Sequence, residues 1–209
     1  MGRHTSRLTL DDLPELPGGC GSCAFWQLGP LQRLAGCADA EQKAGWVGEV
    51  LREWGSCGRV ARYDGNIVGH VLYAPPVMVP GASGFPTSPA SPDAVLLVSL
   101  SVAEHVRGGG IGRLLVREMA RDLIKRGGIK AVEAFADTRA DAGEHCLVPS
   151  DFLLSVGFRT LRAHARTPRM RMDLRTALSW REELESAFDR LRGVVPRPVA
   201  TREIPSAEG

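Results

Sequence analysis

The sequence has no uninterrupted run of eighteen apolar residues, the shortest stretch expected of a membrane-spanning helix. Its start, from Met1 to Leu8, also lacks the apolar core and the small-residue cleavage site of a secretory signal. We therefore expect a cytoplasmic protein that has no membrane partner.

An excess of charge of one sign is also missing. The chain has 26 Lys and Arg residues against 24 Asp and Glu residues, which leaves a net charge of +2. Proteins that bind the phosphates of nucleic acid usually carry a strong basic patch or stripe. The balance of charge predicts no nucleic-acid partner, and any binding site has to be found in local features of the sequence.

The five cysteines are scattered and odd in number, which does not suit a disulfide framework. Only Cys20 and Cys23 form a close pair. A structural zinc site is most recognisable by two close pairs of ligands, so we expect no metal. The two thiols are interpreted as small apolar groups packed beside aromatic rings, and any role beyond packing stays open.

The chain is long enough for one substantial core. It has 209 residues, of which 44% are hydrophobic and 24% charged, and these values are ordinary for a globular protein. We predict a single domain over residues 1–193, whose last helix begins at a capping box, Ser179 to Glu182, and ends at Gly193. Residues 194–209 are predicted to form a loosely ordered tail.

The first periodic segments predict a helix and a hairpin. Asp39 to Trp54 carries apolar residues at helical spacing after a capping box formed by Asp39 and Gln42. The runs Gly58 to Tyr63 and Ile67 to Tyr73 read as antiparallel strands joined by a tight turn. Residues 75–93 are rich in Pro, Gly and Ser, and they are predicted to form a long loop that acts as a lid or flap.

A strand, a glycine turn, a helix and a second strand come next. The strand Ala94 to Val102, the helix Ile111 to Arg126 and the strand Lys130 to Ala136 form a βαβ unit, whose two strands should be parallel. A short helix near Ser150 to Val156 and strands at 159–163 and 170–173 complete the sheet. The predicted class is α/β (α+β), with a mixed sheet and flanking helices.

The glycine turn is the most informative segment of the sequence. Four of the five residues from Gly108 to Gly112 are glycine, and Arg107 and Arg113 flank them. Backbone N–H groups at the start of a helix form a positive concavity that favours a phosphate or pyrophosphate. A plain strand-to-helix turn is the alternative, since glycine is the usual turn residue. Neither the dinucleotide fingerprint nor the Gly-Lys-Ser/Thr of a nucleotide-binding loop fits the spacing.

The pattern Arg107-x-x-Gly110-x-Gly112, between a strand and an amphipathic helix, resembles motif A of the GNAT acetyltransferases. The stretch Phe152 to Phe158 is similar to the helix and Gly-Phe pair that follow this motif in that family. The resemblance extends over nearly the whole chain. It implies the GNAT fold, a central mixed, mostly antiparallel twisted sheet with a splayed parallel strand pair and flanking helices.

The resemblance also implies acetyl-CoA as cosubstrate. The backbone of Leu100, Ser101 and Val102 would then pair with the pantetheine arm, and one of these amides would polarise the thioester carbonyl. The pyrophosphate is expected at the residues of the turn, namely Arg107, Gly108, Gly109, Gly110, Ile111, Gly112 and Arg113.

The catalytic groups depart from the family pattern, because Leu153 stands where many members have a proton-donating tyrosine. Three other residues are candidates for proton transfer. Asp93 lies near the place where some members have a base, and His145 belongs to a residue type suited to proton shuttling. Cys146 replaces an Asn that often contacts CoA. Glu133 and Glu144 are further polar residues near the expected site, and the alternative for Glu133 is a side chain that faces solvent.

Two functions follow from the resemblance. The first is an N-acetyltransferase in which a primary amine attacks acetyl-CoA directly in a ternary complex, and the second is a catalytically silent CoA-binding sensor or interaction protein. The acceptor would be a small-molecule or peptide amine, and a homodimer stays open. A basic run suits the CoA 3′-phosphate, an acidic acceptor or a solvated strand face, and it comprises Arg159, Arg162, His164, Arg166, Arg169, Arg171 and Arg175.

Overall fold

The computed structural model describes residues 4–36, 39–139 and 147–175. The chain divides into two compact units, Met1–Ala177 and Leu178–Gly209, and the described residues all belong to the first. The predicted last helix and tail, 179–209, lie outside the described residues, so the predicted domain boundary stays a prediction. None of the helices described is long and apolar enough to cross a membrane.

The described strands form one mixed sheet in the order β1-β2-β3-β4-β5-β8-β7, and β6 pairs with β5 beside this path. Neighbouring strands are antiparallel except for two parallel pairs, β4 with β5 and β5 with β6. The strands are β1 (His4–Arg7), β2 (Gly58–Tyr63), β3 (Asn66–Ala74), β4 (Ala94–Val102), β5 (Ala131–Asp137), β6 (Val148–Pro149), β7 (Arg159–Arg162) and β8 (Arg169–Asp173). This sheet confirms the predicted fold class.

In the described part of the chain, three α-helices flank the sheet, namely α1 (Ala40–Trp54), α2 (Ile111–Arg126) and α3 (Ser150–Ser155). Asp39 caps α1 as predicted, because its carboxylate accepts the N–H of Gln42 at 2.9 Å. Gly55 ends this helix, and its N–H donates to the carbonyl of Leu51 at 2.9 Å. Local sequence signals therefore fix both ends of α1.

The two sides of the sheet carry separate clusters of buried apolar residues. On one side α2 contributes residues such as Leu115, Met119 and Leu123. On the other side α1 contributes Trp46, Val47 and Val50. We call these the α2 face and the α1 face of the sheet.

The predicted loop at 75–93 is packed on the protein rather than standing away from it as a flap. It contains the short 3-10 helices Pro76–Met78 and Pro80–Gly84. The indole N–H of Trp46 donates to the carbonyl of Met78 at 2.6 Å, and Val79 is buried. The loop thus covers part of the α1 face, because its apolar residues join the cluster there.

Candidate functional site

The parallel strands β4 and β5 separate in the middle of the sheet. They pair at only three positions, Ala94 with Ala131, Val95 with Val132 and Leu96 with Glu133. Strand β4 continues to Val102 and remains paired with β3 on its other side. An opening between two central strands follows, and along it the backbone of β4 has no partner in β5.

The pairing of β4 with β3 shifts register at the start of this opening. Leu72 pairs with Ser99 and Tyr73 with Leu97, so Val98 is an extra residue on β4. Such a bulge re-aims the side chains that follow it. Beyond it Leu100 and Val102 pack on the α2 face.

The two serines of β4 lie on the α1 face. The Ser99 hydroxyl lies 3.3 Å from Nε2 of His70. The segment Pro17–Gly19 covers Ser101, since a Cβ on Gly18 would lie only 2.9 Å from the Ser101 hydroxyl oxygen. The hydroxyl groups are therefore covered from the side of α1, and the backbone of β4 borders the opening.

The glycine turn follows β4 and opens α2. Gly110 is the N-cap residue, has φ of 79° and makes no side-chain cap. A side chain at this position would meet nothing within 4 Å, but its backbone conformation disfavours any residue other than glycine. The first amides of a helix have no intrahelical partner, so those from Ile111 to Arg113 are available to an anion here.

Charged and packed residues surround the turn. The Arg107 guanidinium donates from Nε to the carbonyl of Val102 at 3.1 Å, which ties the turn to the end of β4. Arg113 is exposed in the first turn of α2. A Cβ on Gly112 would approach the Phe152 ring to 3.0 Å. The absence of a side chain at Gly112 therefore also lets α3 pack against α2.

Asp93 belongs to a cluster of ion pairs at the start of β4. Its carboxylate accepts from Arg171 at 2.9 and 3.2 Å, and Arg171 also contacts Glu133 at 3.3 Å. The hydrogen bond from Arg171 holds the pKa of Asp93 below its ordinary value. Asp93 is therefore held as a carboxylate of low basicity.

The interpretation of Glu133 as facing solvent is wrong. Its side chain is fully buried on β5. Besides Arg171, it contacts the buried Arg169 at 3.4 Å and accepts the N–H of Ser91 at 3.1 Å. Paired arginines on β8 compensate the buried charge, so the predicted alternation of β5 does not place this carboxylate in water.

No proton donor stands at the family's tyrosine position. Leu153 is fully buried in the apolar cluster of the α2 face. Tyr63 is exposed at the β2–β3 turn, whereas Tyr73 is fully buried and donates to Asp122 at 2.6 Å. His145 and Cys146 lie outside the described residues, so their predicted roles stay predictions.

A cavity of about 360 Å³ lies on the α1 face beside the C-terminal end of β5. The aromatic and charged or polar side chains that line it are Phe25, Phe85, Asp137, Arg139, His164 and Arg166. Only His164 and Arg166 were singled out from the sequence, as members of the basic run. The other four come from distant parts of the chain, and no local pattern brings them together.

The described residues contain no group of three or more His, Cys, Asp or Glu side chains that could hold a metal ion. Cys20 is buried in the apolar cluster of the α1 face, and Cys23 is half-buried. The expectation that the chain holds no metal stays a prediction.

Comparison with known proteins decides the family. Residues 24–145, more than half of the chain, match the acetyltransferase (GNAT) family. The chain belongs to the GNAT acetyltransferase family. This membership confirms the resemblance carried by the glycine turn, and it agrees with acetyl-CoA as the cosubstrate.

Solved structures share the GNAT fold at low sequence identity. An N-acetyltransferase from Staphylococcus aureus Mu50 is 14% identical with a TM-score of 0.57, and the match covers 83% of this chain and 99% of that one. Ribosomal-protein-alanine N-acetyltransferase from Brucella melitensis is 22% identical with a TM-score of 0.55, covering 81% and 99%. The PaiA N-acetyltransferase from Thermoplasma acidophilum, in complex with coenzyme A, is 17% identical with a TM-score of 0.51, covering 83% and 99%.

These likenesses establish the GNAT fold and leave the acceptor open. No curated protein matches the chain closely enough to serve as a relative. The choice between acceptors therefore has to be argued from this chain's own side chains.

Proposed function

We propose that the protein is an N-acetyltransferase that transfers the acetyl group of acetyl-CoA to a primary amine by direct attack. One observation carries the proposal. Strands β4 and β5 part after Leu96 and Glu133, and β4 then leads into a turn whose amides can hold a pyrophosphate. The opening suits the extended pantetheine arm of acetyl-CoA, and the turn suits its diphosphate.

The residues fit the cosubstrate in two respects. The glycine turn is open, since added side chains at Gly108 and Gly110 would meet nothing within 4 Å. The edge of β4 at Leu100, Ser101 and Val102 has no partner in β5. Its backbone groups that point away from β3 are available to a pantetheine arm, except for the Val102 carbonyl, which accepts from Arg107. Arg107 and Arg113 add positive charge beside the turn.

Acetyl-CoA supplies an activated thioester. The residues of the chain hold the two reactants in position and polarise the thioester carbonyl. An amide of Leu100 to Val102 donates to the thioester carbonyl as negative charge develops there. The acceptor nitrogen forms a bond to the carbonyl carbon, the carbon–sulfur bond breaks, and the thiol leaves as thiolate. Water removes the amine proton, and a proton returns to the thiolate.

A catalytically silent CoA-binding protein is the second candidate. The observation that favours it is Leu153, which is buried and has no proton to donate. Thiolates leave readily, however, and holding two reactants together already supplies much of the acceleration. We therefore favour the enzyme.

Two measurements separate these functions. The first is the melting temperature with and without CoA, since a ligand that binds only the native state raises it. The second is release of the CoA thiol from acetyl-CoA with a panel of primary amines. The enzyme predicts both effects, and a sensor predicts stabilisation without thiol release. No stabilisation by CoA at millimolar concentration would contradict both functions.

A further inference from the structure

The cavity at the end of β5 lies on the same face as the buried Glu133. Side chains alternate along a strand, so Glu133, Phe135 and Asp137 project to one side of β5. Asp137 lines the cavity. It lies on β5 beyond Glu133, the last residue of β5 that pairs with β4. The cavity thus lies at the end of β5, the strand that forms one edge of the opening proposed for acetyl-CoA.

The described residues of the cavity wall carry more cationic than anionic groups. The Arg139 guanidinium donates to both oxygens of Asp137, with distances of 2.6 Å from Nη2 to Oδ2 and 3.0 Å from Nε to Oδ1. This pair is neutral as a unit. Within the described part of the chain, the guanidinium of Arg166 makes no ion pair. Among the lining residues that the structure describes, Arg166 is therefore the cation with no carboxylate in ion-pair contact.

His164 contributes a hydrogen-bond donor to the same wall. Its Nδ1 accepts the backbone N–H of Thr167 at 3.0 Å and that of Arg166 at 3.3 Å. In a neutral imidazole one nitrogen accepts and the other donates, so the proton lies on Nε2. Both the guanidinium and the imidazole thus offer donors, which suit an anionic group of a ligand.

The segment that carries these donors is fastened to the rest of the protein. The hydroxyl of Thr138 donates to the carbonyl of Ala165 at 2.7 Å. The hydroxyl of Thr87 donates to the carbonyl of Thr167 at 3.1 Å. These two bonds hold the backbone on both sides of Arg166, so the loop that carries the donors has a fixed position, and the Arg166 side chain extends from it at the surface.

The opposite wall is aromatic. Phe85 stacks on Phe135 with ring centroids 4.5 Å apart and on Trp26 at 5.3 Å. Phe25 packs edge-on against Trp26 at 5.3 Å. These contacts fix the rings of Phe25 and Phe85 that line the cavity. An apolar or aromatic body of a ligand can pack against them.

We infer that this cavity is the acceptor site and takes an amine that also carries an anionic group, a carboxylate or a phosphate, on an apolar or aromatic body. This inference rests on the proposed function. The anion contacts Arg166 and His164, and the body packs on Phe25 and Phe85. A polycationic amine is disfavoured, because the carboxylate in the described lining is already neutralised by Arg139.

Binding of two probes tests the chemistry of the cavity without turnover. Phenylacetate and phenylacetamide have the same shape and differ in charge, and neither has an amine to acetylate. In the CoA-loaded protein we expect phenylacetate to bind at least tenfold more tightly, as measured by calorimetry, since a charge-assisted hydrogen bond is worth about that factor. Arg166→Gln should remove the difference. The control Arg159→Gln, an exposed arginine on β7, should preserve it.

Equal binding of the two probes, or a preference that survives Arg166→Gln, would overturn the inference. Acetyl transfer supplies a second comparison, between phenylalanine and phenylalaninamide. The readout is the change in the ratio of their kcat/KM values on Arg166→Gln, because the two amines differ in basicity. We expect this ratio to fall at least tenfold.

The two proposals fail in different ways. If CoA binds and amines are acetylated with a preference for cationic or neutral ones, the acceptor class is wrong and the acetyltransferase stands. If CoA neither binds nor donates acetyl groups, the proposed function fails. In that case the two probes are compared in the protein without CoA, and the dependence of phenylacetate binding on Arg166 still supports or contradicts the anion site.

Discussion

The hydroxyl group of Tyr73 donates a hydrogen bond of 2.6 Å to the carboxylate of Asp122, which also accepts one from Ser56 at 2.6 Å. Burial raises the pKa of Tyr73, and the bond to Asp122 raises it further. Tyr73 therefore keeps its proton and ties β3 to α2. It is unsuited to replace the missing tyrosine of the family.

Tyr73→Phe should lower the free energy of unfolding by about 1–3 kcal/mol, because a buried carboxylate loses a hydrogen bond. Turnover and CoA affinity should stay within a factor of two. Urea unfolding and steady-state kinetics measure these effects. The control Tyr63→Phe, at an exposed position, should change neither stability nor turnover. A hundredfold loss of kcat in a folded Tyr73→Phe variant would identify Tyr73 as a proton donor after all.

Gly110→Asp should abolish the rise in melting temperature that CoA produces. A carboxylate there repels the pyrophosphate and strains a backbone with φ of 79°. Gly65→Asp is the matched control, because Gly65 also has positive φ and open space around an added Cβ. Both variants should lose some stability without CoA, and only Gly65→Asp should keep the response. An unchanged CoA response in Gly110→Asp would refute the assignment of the turn.

Stability should fall as pH decreases, in part because of His70. Burial, with the nearby charge of Lys43, lowers the pKa of His70 to about 3. The unfolded chain binds this proton below about pH 6.5, whereas the folded chain resists it. The free energy of unfolding is therefore unaffected by His70 above pH 6.5. Between pH 6.5 and pH 3 it falls by up to about 1.4 kcal/mol per pH unit because of this residue.

Urea unfolding between pH 7 and pH 5 checks this prediction. His70→Gln should flatten the decline, since the replacement has no titrating group. His105→Gln, at an exposed histidine, is the control and should leave the decline unchanged. Identical slopes in the wild type and in His70→Gln would show that His70 is not buried in its neutral form.

Single substitutions of the candidate proton-transfer residues should leave substantial turnover. We expect Asp93→Asn, His145→Ala and Cys146→Ala each to lower kcat by less than a hundredfold, because a dedicated acid or base contributes that much or more. Arg171 holds the pKa of the Asp93 carboxylate below its ordinary value, so the rise of kcat/KM with pH should follow loss of the proton from the acceptor amine. A loss of a hundredfold or more with CoA affinity retained would assign a dedicated role to that residue.

Local signals in the sequence predicted much of the framework. Some signals determine the structure only of the residues next to them, and these are the capping residue Asp39, the turn after Tyr63 and the glycines before Ile111. The helices and strands that they border therefore begin and end close to the predicted places. Strand β1 (His4–Arg7) was missed. Only four residues long, it owes its structure to pairing with β2, more than fifty residues away.

The site was predictable only in part, for the same reason. The resemblance to a family supplied the separation of β4 and β5, which no periodicity in either strand reveals. The burial of Glu133 depends on Arg169 and Arg171, whose contacts cross from another strand. Phe25 and Phe85 meet beside Phe135 only after the chain has folded. Long-range contacts of this kind leave no local signature.

Three residue pairs join β4 to β5 and so connect two half-sheets, β1 to β4 and β5 to β8. Backbone amides of β4 on either side of Leu96 should therefore differ in hydrogen exchange. Those from Leu97 to Val102 that point into the opening are shielded by no partner strand and should exchange first. An extended ligand lying in the opening would serve as a substitute strand, coupling the half-sheets so that both slow their exchange together.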